Sequence, residues 1–140
     1  MNCKIDMPDQ ERSPQRVLLA DDEPAFTILV ERLLAEAGFE VLQAHSMEEA
    51  LEKALSFRPH VALLDVHMPG DGIHACEALA TELDPAPAII MVTGSYSGEL
   101  LNRAMAAGAS DYINKPINWE ELVPLIESHM EPTIRSWSAR

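Results

Sequence analysis

The chain is short of cysteine, short of basic residues and without any long apolar run, and each shortage narrows what it can be. Its two cysteines, Cys3 and Cys76, follow none of the spacings that mark metal or redox motifs, so they read as free thiols. Ten Lys and Arg stand against 23 Asp and Glu, a formal net charge of −13. Such a surface repels phosphate backbones and argues against direct nucleic-acid binding by this chain. No run approaches the roughly 18 apolar residues that a membrane helix needs, and the polar start MNCKIDMPDQERSPQ lacks the apolar centre of a signal peptide. The expectation is therefore a cytoplasmic protein with no membrane partner. No internal repeat is visible.

What is present suits one globular domain. The 140 residues are 47% apolar and 24% charged, enough for a full core. Residues 1–14, with two prolines and little hydrophobicity, read as a flexible N-terminal extension. Residues 15–130 read as the domain, and 131–140 as an irregular tail or the start of a linker.

Within the domain, short apolar runs alternate with helical stripes. The runs VLLA (17–20), VALLD (61–65) and AIIMV (88–92) read as buried strands, and 39–44 and 111–114 as two further strands. Pro24 suits the first turn of a helix, whose stripe is Phe26, Leu29, Val30, Leu33, Leu34 and Ala37, and Gly38 stops it. Ser46 and Glu49 form a capping box for a second helix carrying Ala50, Leu51, Ala54 and Leu55. Further helices are predicted over about 73–83 and 98–107. A last one opens at Asn118, with Pro124 set to bend it unless the proline lies in the first turns. Five strands alternating with five helices predict an α/β fold, a doubly wound parallel sheet with helices on both faces. The flavodoxin-like order 2-1-3-4-5 is a common solution for five such units.

In a parallel sheet the residues just beyond each strand gather at one edge. That edge receives Asp21 and Asp22, Asp65, Thr93 and Lys115. Two ionised carboxylates about 4 Å apart repel by roughly 4 kcal/mol at an effective dielectric near 20. A positive partner is required, and Mg²⁺, which accepts one or two carboxylates, a carbonyl and waters, answers the need. Lys115 supplies a second positive charge. Together they make Asp65 a plausible nucleophile toward a phosphoryl group, with the Thr93 hydroxyl a donor to its oxygens. His60, His67 and His74 recur every seven residues, but an extended stretch holds the first two about 20 Å apart, too far to share a metal. Asp71 reads as a turn or cap residue.

VLLADDEP, LLDVHMPGDG, IIMVTG and AGASDYINKP, in this order over about residues 16–130, closely resemble the receiver domain of two-component response regulators. The resemblance implies that Asp65 is the phosphoacceptor, that Asp22 and Asp65 ligate Mg²⁺ directly with Asp21 helping through water, and that the His67 backbone carbonyl completes the protein ligands. It implies that Thr93 and Lys115 hold the phosphoryl oxygens, that Tyr112 is the aromatic switch partner of Thr93, and that His67 and Ser95 tune phosphoryl lifetime. The implied partners are a histidine kinase or phosphotransfer protein and, downstream, another protein or an attached output domain. A phosphorylation-dependent dimer is compatible with it. The chain then acts as a regulator that catalyses its own phosphorylation and slow dephosphorylation rather than as an enzyme, signalling through the fourth helix, fifth strand and fifth helix. Two departures stand out: MPGDG is one residue shorter than the more usual MPGxDG, and Gly94 follows Thr93 where alanine is common. A Mg²⁺-dependent phosphatase of the haloacid-dehalogenase type is the alternative, although it wants an acid where His67 stands. A flavin module is disfavoured, because the first strand is followed by acids rather than a phosphate-cradling loop.

Overall fold

The computed structural model describes residues 14–94 and 97–129. The readings placed on residues 1–13, on Ser95 and on the tail beyond residue 129 fall outside them. The chain order is β1 (Arg16–Ala20), α1 (Pro24–Glu36), β2 (Glu40–Ala44), α2 (Met47–Phe57), β3 (Val61–Asp65), α3 (Gly72–Glu82), β4 (Ala88–Thr93), α4 (Gly98–Ala106), β5 (Asp111–Asn114) and α5 (Trp119–Ser128). All pairings are parallel, as the alternation of elements predicts, and the sheet order is β2-β1-β3-β4-β5, the flavodoxin-like solution common for five such units.

Because side chains alternate across a strand, the two faces of the sheet collect two cores. One joins Leu18, Ala62, Leu64, Ile89 and Met91 to Ala50 and Ala54 of α2 and to Ala75, Cys76 and Leu79 of α3. The other joins Val17, Leu19, Leu63, Ile90 and Val92 to Val30 and Leu34 of α1 and to Leu122 and Ile126 of α5. Burying both faces explains why β1, β3 and β4 read as nearly unbroken apolar runs, whereas the edge strands β2 and β5 are only partly buried. Among the described residues no helix is long and apolar enough to cross a membrane.

The helix stripes are narrower than their sequences suggest. In α1 the buried positions are Thr27, Val30 and Leu34, whereas Leu29 and Ala37 are exposed. Adjacent helical residues lie about 100° apart, so a stripe centred on Val30 turns Leu29 toward solvent. Leu55 of α2 is likewise exposed. Gly38 ends α1 with φ 99°, a left-handed conformation that suits glycine. Ser46 caps α2 by accepting from the Glu49 N–H at 3.1 Å, but Glu49 accepts from the His45 N–H at 2.7 Å rather than from Ser46, one residue off the expected box. Pro124 sits sixth in α5, on an exposed position, and the helix continues through it.

The shortened turn after β3 is tightly anchored. The Asp71 N–H donates to the Met68 carbonyl at 2.8 Å, the Gly72 N–H to the Val66 carbonyl at 3.0 Å, and the Met47 N–H to the Pro69 carbonyl at 2.8 Å. Asp71 adopts φ 77°, where side chains are strained, and its carboxylate accepts from the Ile73 N–H at 2.8 Å to cap α3. Gly72 lies so close to the end of β3 that a Cβ would fall 2.0 Å from the Asp65 carbonyl oxygen. Gly72→Ala must push α3 away from the strand that carries Asp65. It is expected to destabilise the fold by about 3 kcal/mol or more, read as a lowered urea midpoint with unchanged m-value. An unchanged midpoint would contradict this packing.

Candidate functional site

The site lies at the carboxyl edge of the sheet, where β1 and β3 are neighbours and their connections depart to opposite faces. Such a switch point opens a crevice. Asp21 follows β1 directly, and its N–H continues the ladder to the Ala44 carbonyl at 3.0 Å. One carboxylate oxygen of Asp21 accepts from the Glu23 N–H at 2.9 Å, which shapes the turn into α1 and leaves the other oxygen facing the crevice's cation. Asp65 ends β3, paired in register with Val92, so Thr93 stands one residue further along β4. The Lys115 N–H donates to the Thr93 carbonyl at 2.8 Å, which ties the β5–α5 connection to the same edge. The Lys115–Pro116 peptide is cis.

Asp21, Asp22 and Asp65 offer ligand oxygens that all lie within 4.8 Å of one another. Asp21 is 1% exposed and Asp65 6%, whereas Asp22 is open to solvent. Lys115 Nζ sits 2.8 Å from Asp21 Oδ2 and 4.0 Å from Asp65 Oδ2, so the ammonium is paired chiefly with Asp21. Burial pushes the Asp65 carboxyl up to about 6, and the neighbouring Asp21 charge adds to the rise. Lys115 and the His67 backbone N–H, which donates to the carboxylate, pull it back, and Asp22 adds a smaller push upward. Burial acts to lower the Lys115 ammonium, but its hydrogen bond to Asp21 and the charges of Asp65 and Asp21 outweigh burial and hold it above its ordinary value.

These oxygens fit a hard divalent cation. One lysine against three carboxylates leaves excess negative charge, and the repulsion from Asp21 and Asp22 adds to the rise that burial imposes on Asp65. The three histidines at intervals of seven form no such group among the described residues. His60 lies at the opposite edge of the sheet, where its Nδ1 accepts from the Arg16 N–H at 2.8 Å, and His67 lies beyond the far end of β3.

Thr93 is buried and borders a small cavity of about 20 Å³, room for one water, with Tyr112 on its wall beside Val66, Leu100 and Ala104. Tyr112 is partly buried and packs against the adjacent core. Two aromatic residues had no place in the sequence reading of the site. Phe26, assigned to the α1 stripe, turns its ring face to the Lys115 ammonium at 4.4 Å, and Trp119 packs on Phe26 with ring centroids 6.4 Å apart. Periodicity alone places Phe26 with the core. Its position five residues after Asp21 was the available signal, since a helix opening beside the acids must aim one early residue at them.

The burial of Asp65, with the Asp21 charge beside it, has a measurable consequence for stability. With the folded pKa of Asp65 near 6 and the usual value near 3.8, the folded state holds this proton more tightly than the unfolded chain does. The associated stability is full below about pH 4 and is lost as pH rises through 6, about 2 to 3 kcal/mol in all. In chelator, Asp65→Asn is expected to raise the thermal midpoint at pH 7 and to leave it nearly unchanged at pH 4. Equal stabilisation at both values would show that the cost of ionising Asp65 is not the cause.

Residues 17–127 match the response regulator receiver domain family. The transcriptional regulatory protein PdtaR of Mycobacterium tuberculosis is 37% identical over 116 residues, covering 81% of this chain and 56% of that protein. The transcriptional regulatory protein YvrH of Bacillus subtilis is 35% identical over 122 residues, covering 86% and 51%. The chain thus spans about half the length of the curated relatives it matches. Among solved structures, the CheY-like response regulator receiver domain protein of Methanospirillum hungatei superposes with a TM-score of 0.78 at 34% identity, covering 83% of this chain and 93% of that one. The chemotaxis response regulator CheY4 of Vibrio cholerae gives 0.78 at 31%, covering 84% and 100%. Fold, motif order and relatives agree: this chain belongs to the receiver domain family of two-component response regulators.

Proposed function

We propose that this receiver, spanning residues 15–130, is a switch that accepts a phosphoryl group on Asp65 from the phosphohistidine of a histidine kinase or phosphotransfer protein. The observation that carries the reading is the cluster of Asp21, Asp22 and Asp65 with Lys115 Nζ 4.0 Å from Asp65. An Asp65 carboxylate oxygen attacks phosphorus, the P–N bond breaks, and the imidazole leaves with the electron pair. Asp21, Asp22, Asp65 and the His67 carbonyl would hold Mg²⁺, with Asp21 acting through water. Bound there, the ion supplies positive charge opposite the phosphoryl oxygens. Lys115 orients one phosphoryl oxygen, and the Thr93 hydroxyl donates to another. His67 and Ser95 tune the lifetime of the product.

Phosphorylation adds about −1.5 to −2 charges beside a crevice already short of cations. Thr93 moves toward the new oxygens, and Tyr112 follows into the space behind it. Support for this coupling comes from the cavity that Thr93 and Tyr112 share and from α4, of which only Ala104 is buried. A helix with so small a buried anchor shifts at low cost. The output surface is α4, β5 and α5, read by a downstream protein, a second copy or an attached output domain.

Acetyl phosphate with Mg²⁺ is expected to add one phosphoryl group to the wild type, seen as a mass increase that hydroxylamine or alkali removes, and none to Asp65→Asn. Chelator should abolish the addition. In NMR spectra, beryllofluoride should move the Tyr112 and α4 resonances in wild type and not in Asp65→Ala. Equal labelling of wild type and Asp65→Asn would reject Asp65 as the acceptor.

A further inference from the structure

The β1–α1 loop that carries Asp21 and Asp22 also delivers an aromatic face. The Glu23 carbonyl accepts the Phe26 and Thr27 N–H groups, both at 3.1 Å, so Phe26 is locked into the first turn of α1, directly beside the acids. Its ring lies 4.4 Å from Lys115 Nζ, well inside the range in which a ring face attracts an ammonium. Trp119, first residue of α5, backs the ring and belongs to the connection that also carries Lys115. The ammonium is therefore bounded by Asp21, Asp65 and an aromatic face, with the stem of Lys115 running beside Gly94.

We propose that Phe26 is a positioning residue for phosphoryl transfer: its ring face holds the Lys115 ammonium between Asp21 and Asp65 and guides it from one to the other. The inference rests on Asp65 being the phosphoacceptor. As found, the ammonium is 2.8 Å from Asp21 and 4.0 Å from Asp65, so it must leave Asp21 to meet the oxygens of an incoming phosphoryl group. An acceptor with lone pairs would fix it in one place. A π face attracts it with little directional preference, shields it from water on that side, and lets it slide. A bare packing role for Phe26 needs only apolar volume; positioning needs the ring.

That difference defines the test. Phe26→Leu keeps apolar volume and removes the ring, while Phe26→Tyr retains it. In the wild type, with chelator and no phosphodonor, the Lys115 Hε protons should show an upfield ring-current shift, retained in Phe26→Tyr and lost in Phe26→Leu. With acetyl phosphate and Mg²⁺, Asp65 attacks phosphorus and acetate departs with the electron pair. The rate of that step is expected to fall about 5-fold in Phe26→Leu and to stay within about 2-fold of wild type in Phe26→Tyr. A ring-current shift with no rate loss in Phe26→Leu overturns the proposal and leaves Asp65 as acceptor. So does a rate loss that Phe26→Tyr fails to restore, because the defect is then one of packing. Failure of the wild type itself to take the phosphoryl group overturns both readings together.

Discussion

Everything at the functional edge depends on one electrostatic constraint, the gathering of Asp21, Asp22 and Asp65 around a single nearby ammonium. At separations under 5 Å such charges cost kilocalories unless they are compensated. Lys115 compensates mainly Asp21, which is the more buried of its two partners and the one it touches. Asp65 is left with the weaker share, so Lys115 does not offset the rise in its pKa that burial and the Asp21 charge produce. The crevice is thus built with a deficit of positive charge at the one carboxylate that ends the central strand.

The fold makes that crowding tolerable by spending rigidity on it. β3 is buried along its whole length and flanked by β1 and β4, so Asp65 cannot relax away from its neighbours by moving the strand. The turn behind it is locked by three backbone hydrogen bonds and by the contact of Gly72 with the Asp65 carbonyl. Relief has to come from side chains and bound ions. On the other side of the crevice the structure is looser: α4 buries only Ala104, and Thr93 and Tyr112 line one small cavity. A stiff acceptor strand beside a lightly held helix supports the reading of a switch, since charge added at the first can be answered by motion of the second.

Much of this was legible along the chain. Three apolar runs ending in Asp21, Asp65 and Thr93, with a brief further strand ending just before Lys115, announce parallel strands with chemistry at one edge, because a strand buried on both faces has nowhere to put a polar residue except at its end. The helix starts were equally plain, with Ser46, Asp71 and Asn118 each accepting a backbone N–H at a cap. Less legible was which residues of a helical stripe face inward. Leu29 and Leu55 fit the pattern by spacing yet face solvent, and Phe26 fits it yet faces a cation. A helix lying on a sheet buries a band narrower than the run of apolar residues it carries, and sequence spacing does not say where that band is centred.

By itself, then, the sequence determined the alternation of strands and helices, the buried character of the strands and the set of charged groups delivered to one edge. These follow from short-range rules of periodicity, capping and chain direction. Only the tertiary structure decided how the charges share one another: that Lys115 belongs first to Asp21, that the His67 N–H reaches Asp65, and that Phe26, with Trp119 packed on it, faces the ammonium. The reason is distance. Pairing energies change steeply over an ångström or two, while the residues that set those distances lie far apart in sequence, on loops whose relative placement is fixed only when both cores have packed.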